Sequence, residues 1–128
     1  MNNKEFNSDD ASLSVDLSEA RQAVKENRFK DALGLFEIIL KDDPNHIDSL
    51  YLASVSSRYL KKFDDSKKFI ERLMTIAPDM GRAYQELGHI YRDMGDETKS
   101  VIHYRLSLIH ISEPTRQEAI SYAVFCLK

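Results

Sequence analysis

Histidines and a pair of serines are the side chains in residues 1–105 that could do acid–base or nucleophilic chemistry. His46, His89 and His103 lack a second ligand at the spacing typical of a zinc site. No nucleophile motif surrounds Ser56 and Ser57. The glycines do not form a phosphate-binding loop, and the carboxylates are typical of a solvated charged face. The sequence therefore predicts no catalytic residue, no metal and no cofactor.

The spacing of prolines and apolar residues instead indicates an internal repeat. Pro44 and Pro78 are separated by about 34 residues, a period typical of helix–turn–helix solenoids. Similar small and large apolar residues precede each proline, and in such solenoids each unit packs only against its neighbours. We therefore predict an all-α fold, an α-solenoid of antiparallel helix pairs. The predicted units cover residues 13–46, 47–80 and 81–105, the last of them truncated, after a disordered segment at residues 1–12.

Each unit is predicted to hold a first helix, a turn and a second helix. Apolar residues at steps of three and four, as in Phe29, Ala32 and Phe36, mark one face of a helix. Small residues are expected where the two helices of a pair meet, and large residues between successive pairs. The predicted packing residues are Ala20, Ala23, Phe29, Ala32, Phe36 and Ile39, then Leu50, Ala53, Ser54, Phe63, Ser66, Ile70 and Leu73, then Tyr84, Leu87, Gly88, Tyr91, Ser100, Ile102 and Tyr104.

This pattern resembles the tetratricopeptide repeat family over roughly residues 13–105. The matching residues are Ala32, Phe36, Pro44, Pro78, Tyr84, Leu87, Gly88 and Tyr91. Several positions depart from the family pattern: Glu97 replaces an aromatic residue, Glu19-Ala20 replaces Leu-Gly, and Ser66 and Ser100 replace alanine. The resemblance implies a protein–protein interaction scaffold that binds a peptide or protein segment on its concave surface.

A second resemblance implies an alternative function. Residues 78–95 resemble the tetratricopeptide arrays that precede a sulfotransferase domain in bacterial proteins. On this interpretation the chain is the N-terminal region of a larger enzyme that transfers sulfate from a nucleotide sulfate donor. The catalytic domain would then be missing here, and no residue of this sequence would be catalytic.

The resemblance places the first helix of each pair on the concave surface, which is the candidate binding groove. Tyrosine and arginine are favoured at protein interfaces because they combine apolar area with hydrogen-bonding ends. Some groove residues, especially Leu52 and Val55, could instead pack between neighbouring first helices. A clamp for chaperone C-termini is disfavoured, because only Arg21 and Arg82 lie near its basic positions. The predicted groove residues are Arg21, Tyr51, Val55, Arg58, Tyr59, Arg82, Gln85, His89 and Arg92, with Leu17, Lys25, Leu52 and Glu86 beside them.

The C-terminal segment resembles translated DNA of another origin. Residues 106–116 and 120–128 correspond to one reading frame of a transposase-type sequencing adaptor, and the three residues between them match the length of its sample index. We therefore predict that residues 106–128 are a non-native, adaptor-encoded tail, which the codons of the source DNA would test. The only cysteine, Cys126, lies in this tail, so a disulfide scaffold is not expected.

Composition narrows the class of partner. The chain of 128 residues has a net charge of −3, and its scattered lysines form no basic stripe for nucleic acid. No apolar run reaches the roughly 20 residues of a membrane span, and the polar N-terminus has no signal core. We therefore expect a cytoplasmic chain whose partner is a protein or peptide rather than nucleic acid or a membrane.

Overall fold

The regular elements within residues 17–110 are all α-helices. The computed structural model describes residues 17–110, and within them the first helix, α1, covers residues 17–25. The helices that follow are α2 (Phe29–Asp42), α3 (Ile47–Tyr59), α4 (Phe63–Ile76), α5 (Gly81–Met94) and α6 (Glu97–Ile109). The starts of α3 and α5 are separated by the same interval as Pro44 and Pro78, and so are the starts of α4 and α6. The predicted period is therefore confirmed in the described part of the chain, where no helix is long and apolar enough to span a membrane.

The helices form a curved stack of antiparallel pairs. From α2 onwards, each described helix packs against the next one in the chain, and α3 also lies against α5. By contrast, the backbones of α2 and α4 do not approach each other closely, and neither do those of α4 and α6. First helices are thus closer to one another than second helices are, which places them on the inner side of the curve. The predicted α-solenoid is confirmed, and we call the surface formed by α1, α3 and α5 the inner surface.

The turn inside each pair has the same backbone conformation in all three units. Asn27, Lys61 and Gly95 occupy equivalent positions of successive units, and their φ angles are 61°, 63° and 89°. The next residue in each turn donates its N–H to a carbonyl five residues earlier, as Asp96 does to Tyr91 at 2.8 Å. This is the Schellman pattern, which satisfies the last carbonyls of a helix through one left-handed residue. The same type of helix-terminating turn therefore reverses the chain in all three units.

Small residues bring the helices of a pair close together, as predicted. Ala20 and Ser54 are fully buried, and a side chain on Gly88 would overlap the ring of Tyr104. Phe36 and Ile70, large residues at the position equivalent to Tyr104, are also fully buried. Burial of each such side chain stabilises the fold by about 1.5–3 kcal/mol. The apolar core therefore runs along the stack between the helices.

Serines replace alanine in this core without losing their hydrogen bonds. The Ser54 hydroxyl donates to the Ser66 carbonyl at 2.9 Å, and the Ser66 hydroxyl donates to the Ser54 carbonyl at 2.7 Å. In the third unit the Ser100 hydroxyl donates to the Gly88 carbonyl at 2.9 Å. A buried hydroxyl is tolerated when it is paired in this way. The interface between the two helices of a pair accepts serine for this reason.

One predicted packing residue does not lie in the core. Ile102 is 49 % exposed and does not pack between the helices, because it stands where the other units have the exposed residues Gly34 and Lys68. His46 caps α3, and its Nδ1 accepts the Ser49 N–H at 3.2 Å. The predicted disordered segment, and residues 111–128 of the predicted tail, lie outside the described residues. Helix α6 itself continues across the start of the predicted tail to Ile109.

Candidate functional site

The predicted groove residues all lie on the first helices, and they differ in exposure. The exposed ones are Arg21, Tyr59 and Arg92; the half-buried ones are Tyr51, Val55 and Arg82; the buried ones are Arg58, Gln85 and His89. Only the first two groups offer surface to a partner without rearrangement. Whether they bind one remains a prediction.

A buried ion-pair network joins the second and third units beneath the inner surface. The Arg58 guanidinium of α3 donates from Nε to Glu86 at 2.6 Å and from Nη1 to Asp93 at 2.9 Å. The Arg58 side chain is 7 % exposed and that of Glu86 only 1 %. Charged groups are this deeply buried only when they are paired and hydrogen-bonded. Arg58 therefore fixes α5 against α3.

Burial and pairing act in opposite directions on the pKa values of this network. Burial raises the pKa of Glu86 to about 7, against the opposing effect of Arg58. Burial disfavours the charge on Arg58, but Glu86 and Asp93 outweigh it and raise the pKa of the guanidinium. For Asp93, partial burial favours the neutral form, yet hydrogen bonds from Arg58 and Arg92 lower its pKa. Arg58 is thus the cation that holds the network together.

His89 and Tyr104 connect the inner surface to α6. His89 Nδ1 and the Tyr104 hydroxyl are 2.6 Å apart, and the Arg92 guanidinium donates to the same hydroxyl at 3.3 Å. Burial, followed by the positive charges of Arg58 and Arg92, lowers the pKa of His89 to about 4. His89 is therefore a neutral, structural imidazole near pH 7.

The His89 imidazole is expected to titrate with a midpoint near pH 4 in an NMR experiment on its ring resonances. Because its pKa falls from 6.5 on folding, the stability that neutral His89 provides is present above pH 6.5 and is lost as the pH falls toward 4. The raised pKa of Glu86 has the opposite sign, since its contribution is lost as the pH rises from 4.5 toward 7. The variant His89→Gln identifies the His89 resonance by its disappearance. It should also abolish the decrease in stability between pH 6.5 and 4 while leaving the decrease between pH 4.5 and 7 that Glu86 causes. A midpoint near 6.5 would contradict the described burial.

Aromatic and basic side chains meet along the inner surface. The Arg82 guanidinium lies over the Tyr51 ring, 5.8 Å from its centroid, and Arg58 lies 4.7 Å from the centroid of Tyr59. The Tyr59 ring also stacks on Phe29 of the first unit, with parallel rings whose centroids are 4.4 Å apart. Aromatic and cationic groups of this kind are enriched at protein interfaces.

Within the described part of the chain, Gln85 is a buried polar residue of α5 whose amide nitrogen is unpaired, as are the buried hydroxyls of Ser56 and Ser57 on α3. Its side chain belongs to a residue that is 3 % exposed, and the Nε2 amide has no hydrogen-bond partner among residues 17–110. The described residues also contain no group of histidines, cysteines and carboxylates that could hold a metal ion. The chemistry of the inner surface is therefore that of hydrogen bonding, charge and aromatic contact.

Sequence reasoning missed the roles of Glu86 and Asp93. The sequence pattern places Glu86 beside the groove and predicts no buried carboxylate. One signal was present: Glu86 stands where the second unit has the apolar Leu52. A charge at a position that is apolar in a neighbouring unit indicates a buried partner, which Arg58 provides.

The comparisons with known proteins agree with this architecture. A family model described as tetratricopeptide repeat matches residues 81–108. No curated protein matches the chain. Among solved structures, the type III secretion translocator chaperone SycD of Yersinia enterocolitica has a TM-score of 0.80 at 14 % identity, over 91 % of this chain and 89 % of that one.

Structures of MamA are also similar. MamA from AMB-1 has a TM-score of 0.70 at 16 % identity over 74 % of this chain, and MamA from MSR-1 has 0.71 at 15 % identity over 84 %. The chain spans 56 % and 62 % of the lengths of these two proteins. At such identities the likeness concerns the fold. The chain therefore contains a tetratricopeptide repeat at residues 81–108 and has the fold of a tetratricopeptide-repeat solenoid.

Proposed function

We propose that these helix pairs form an interaction scaffold that binds a peptide or protein segment on the inner surface and catalyses no reaction. The observation that carries the proposal is the set of accessible aromatic and basic side chains on α3 and α5, two helices that lie against each other. Tyr51 and Arg82 face one another across this contact, and Tyr59 is 56 % exposed. Such residues dominate binding energy at protein interfaces.

The fold supports the same proposal. Solenoids of helix pairs present long concave surfaces on which an extended chain can make contacts with several units. SycD, which shares this fold, is itself described as a chaperone of secretion translocators. We infer that one segment of a protein partner lies across the first helices.

Selection of peptides from a random displayed library on the immobilised chain tests this function. The combined variant Tyr51→Ala and Arg82→Ala is expected to weaken binding of the selected peptides by about tenfold or more, because it removes both side chains of the central contact. Isothermal titration calorimetry measures the change. The matched control is Ile38→Ala, a change on the outer helix α2 at a side chain that is 50 % exposed. Weaker binding by the control, with binding by the inner-surface variant retained, would place the site on the outer surface and refute the proposal.

A further inference from the structure

The carboxylates of the inner surface are already paired with basic residues. Asp48 pairs with Arg21 at 2.6 Å, and both Glu86 and Asp93 pair with Arg58. Arg92 also pairs with Asp93 at 3.1 Å, so three arginines neutralise the three acids within the chain. An incoming ligand therefore meets little unpaired negative charge on this surface.

Basic residues are in excess on the same surface. The three acids named above stand against five bases, Arg21, Lys25, Arg58, Arg82 and Arg92. This local surplus is positive although the chain as a whole has a net charge of −3. A positive concave surface on an acidic chain attracts segments of opposite charge and repels other copies of the same surface.

Arg82 is the base best placed to use this surplus. Its side chain is half-buried over the Tyr51 ring, and no carboxylate within residues 17–110 lies in ion-pair distance of it. A guanidinium that is partly removed from water binds a carboxylate more strongly than an exposed one does. Arg82 can thus accept an acidic side chain without breaking an existing pair.

Gln85 supplies a second donor one helical turn further along α5. Its buried Nε2 amide lacks an acceptor among the described residues, and a buried unpaired donor costs about 1–3 kcal/mol. The Gln85 side chain is only 3 % exposed, so it must turn toward the surface before a carbonyl oxygen of a bound chain can recover that cost. Neighbouring residues of an extended peptide are about 3.3 Å apart and a helical turn rises about 5.4 Å, so one segment spans the distance between the two positions.

We infer that the inner surface of the second and third units binds an extended, acidic peptide segment, with a side-chain carboxylate on Arg82 and a main-chain carbonyl on Gln85. This inference rests on the proposed function and adds the chemical class of the partner. Charge selects the segment, while the hydrogen bond from Gln85 requires only an exposed main chain.

Three fluorescent decapeptides, capped at both ends, test this inference by fluorescence anisotropy with the full chain. They alternate alanine with glutamate, with glutamine or with lysine. The glutamate peptide is expected to bind at least about tenfold more tightly than the glutamine peptide, and added salt should weaken it. Arg82→Gln is expected to reduce its affinity to that for the glutamine peptide. Lys68→Gln, which removes the same charge from a position on the outer helix α4, should have no effect.

The role of Gln85 has a separate readout. Gln85→Leu is expected to weaken the glutamate and glutamine peptides by the same factor, because both have the same main chain. Circular dichroism of each variant verifies that it is folded. Equal binding of all three peptides, or none, would overturn the inference even if the library yields binders, and the proposed function would then stand alone. Failure of the library as well would remove both.

Discussion

Replacing Gly88 with leucine is expected to lower the free energy of unfolding by about 3 kcal/mol. A Cβ atom at this position would lie 2.6 Å from Cδ1 and 2.7 Å from Cε1 of Tyr104. The Tyr104 ring is buried, and its hydroxyl is hydrogen-bonded to His89 and Arg92, so the ring has no free direction in which to move. The overlap is relieved either by breaking these hydrogen bonds or by separating α5 from α6, and both destabilise the chain. Urea denaturation followed by circular dichroism measures the loss.

Gly34 provides the matched control for this change. It also lies within a helix, α2, but a Cβ atom there would meet nothing within 4 Å. Because leucine favours the helix more than glycine does, Gly34→Leu should raise stability by up to about 1 kcal/mol. Truncation of the ring in the double variant Gly88→Leu, Tyr104→Ala should recover part of the loss. Equal stability of Gly88→Leu and Gly34→Leu would contradict the close packing of α5 on α6.

Arg58→Leu is expected to destabilise the chain by about 3–5 kcal/mol, because it leaves the Glu86 carboxyl buried without its cation. In the double variant Arg58→Leu, Glu86→Leu both members of the pair become apolar. Position 86 then carries leucine, as the equivalent position 52 already does. We expect the double variant to be more stable than Arg58→Leu alone. A double-mutant cycle by chemical denaturation measures this coupling.

An exposed pair serves as the control for the buried one. Arg21 and Asp48 are also 2.6 Å apart, but their side chains are 49 % and 54 % exposed. Arg21→Leu should therefore cost less than about 1 kcal/mol, since water screens the exposed charges. Additive effects of Arg58→Leu and Glu86→Leu, or an equal cost for Arg21→Leu, would show that Arg58 does not fix the third unit.

The fold was predictable because its information is local and repeated. The interval between Pro44 and Pro78 sets the helix pairs, and small residues such as Ser54 and Gly88 identify the faces that meet. The same interval also aligns Ile102 with Gly34 and Lys68, two exposed residues. Applied to Ile102, the interval would have predicted that this residue lies away from the core. Register within a repeat was thus a better guide than the hydrophobicity of a single residue.

The burial and ion pairing of the site residues were not predictable from the same pattern. Register places Arg58 on the inner surface, but its burial depends on Glu86 and Asp93, which belong to another unit and differ from their counterparts Leu52 and Tyr59. Contacts between units involve side chains that the period does not repeat. They decide which arginines are available to a ligand and which are structural.

The stability of the chain can be altered through the turns within the helix pairs. Lys61 adopts the left-handed conformation that Gly95 adopts in the third unit, and this conformation costs a residue with a side chain about 1 kcal/mol. Glycine at position 61 would release that strain at the tip of a hairpin, where the backbone is already shaped for it. The thermal stability of the scaffold can therefore be adjusted at its turns, without changing the side chains that a partner would contact.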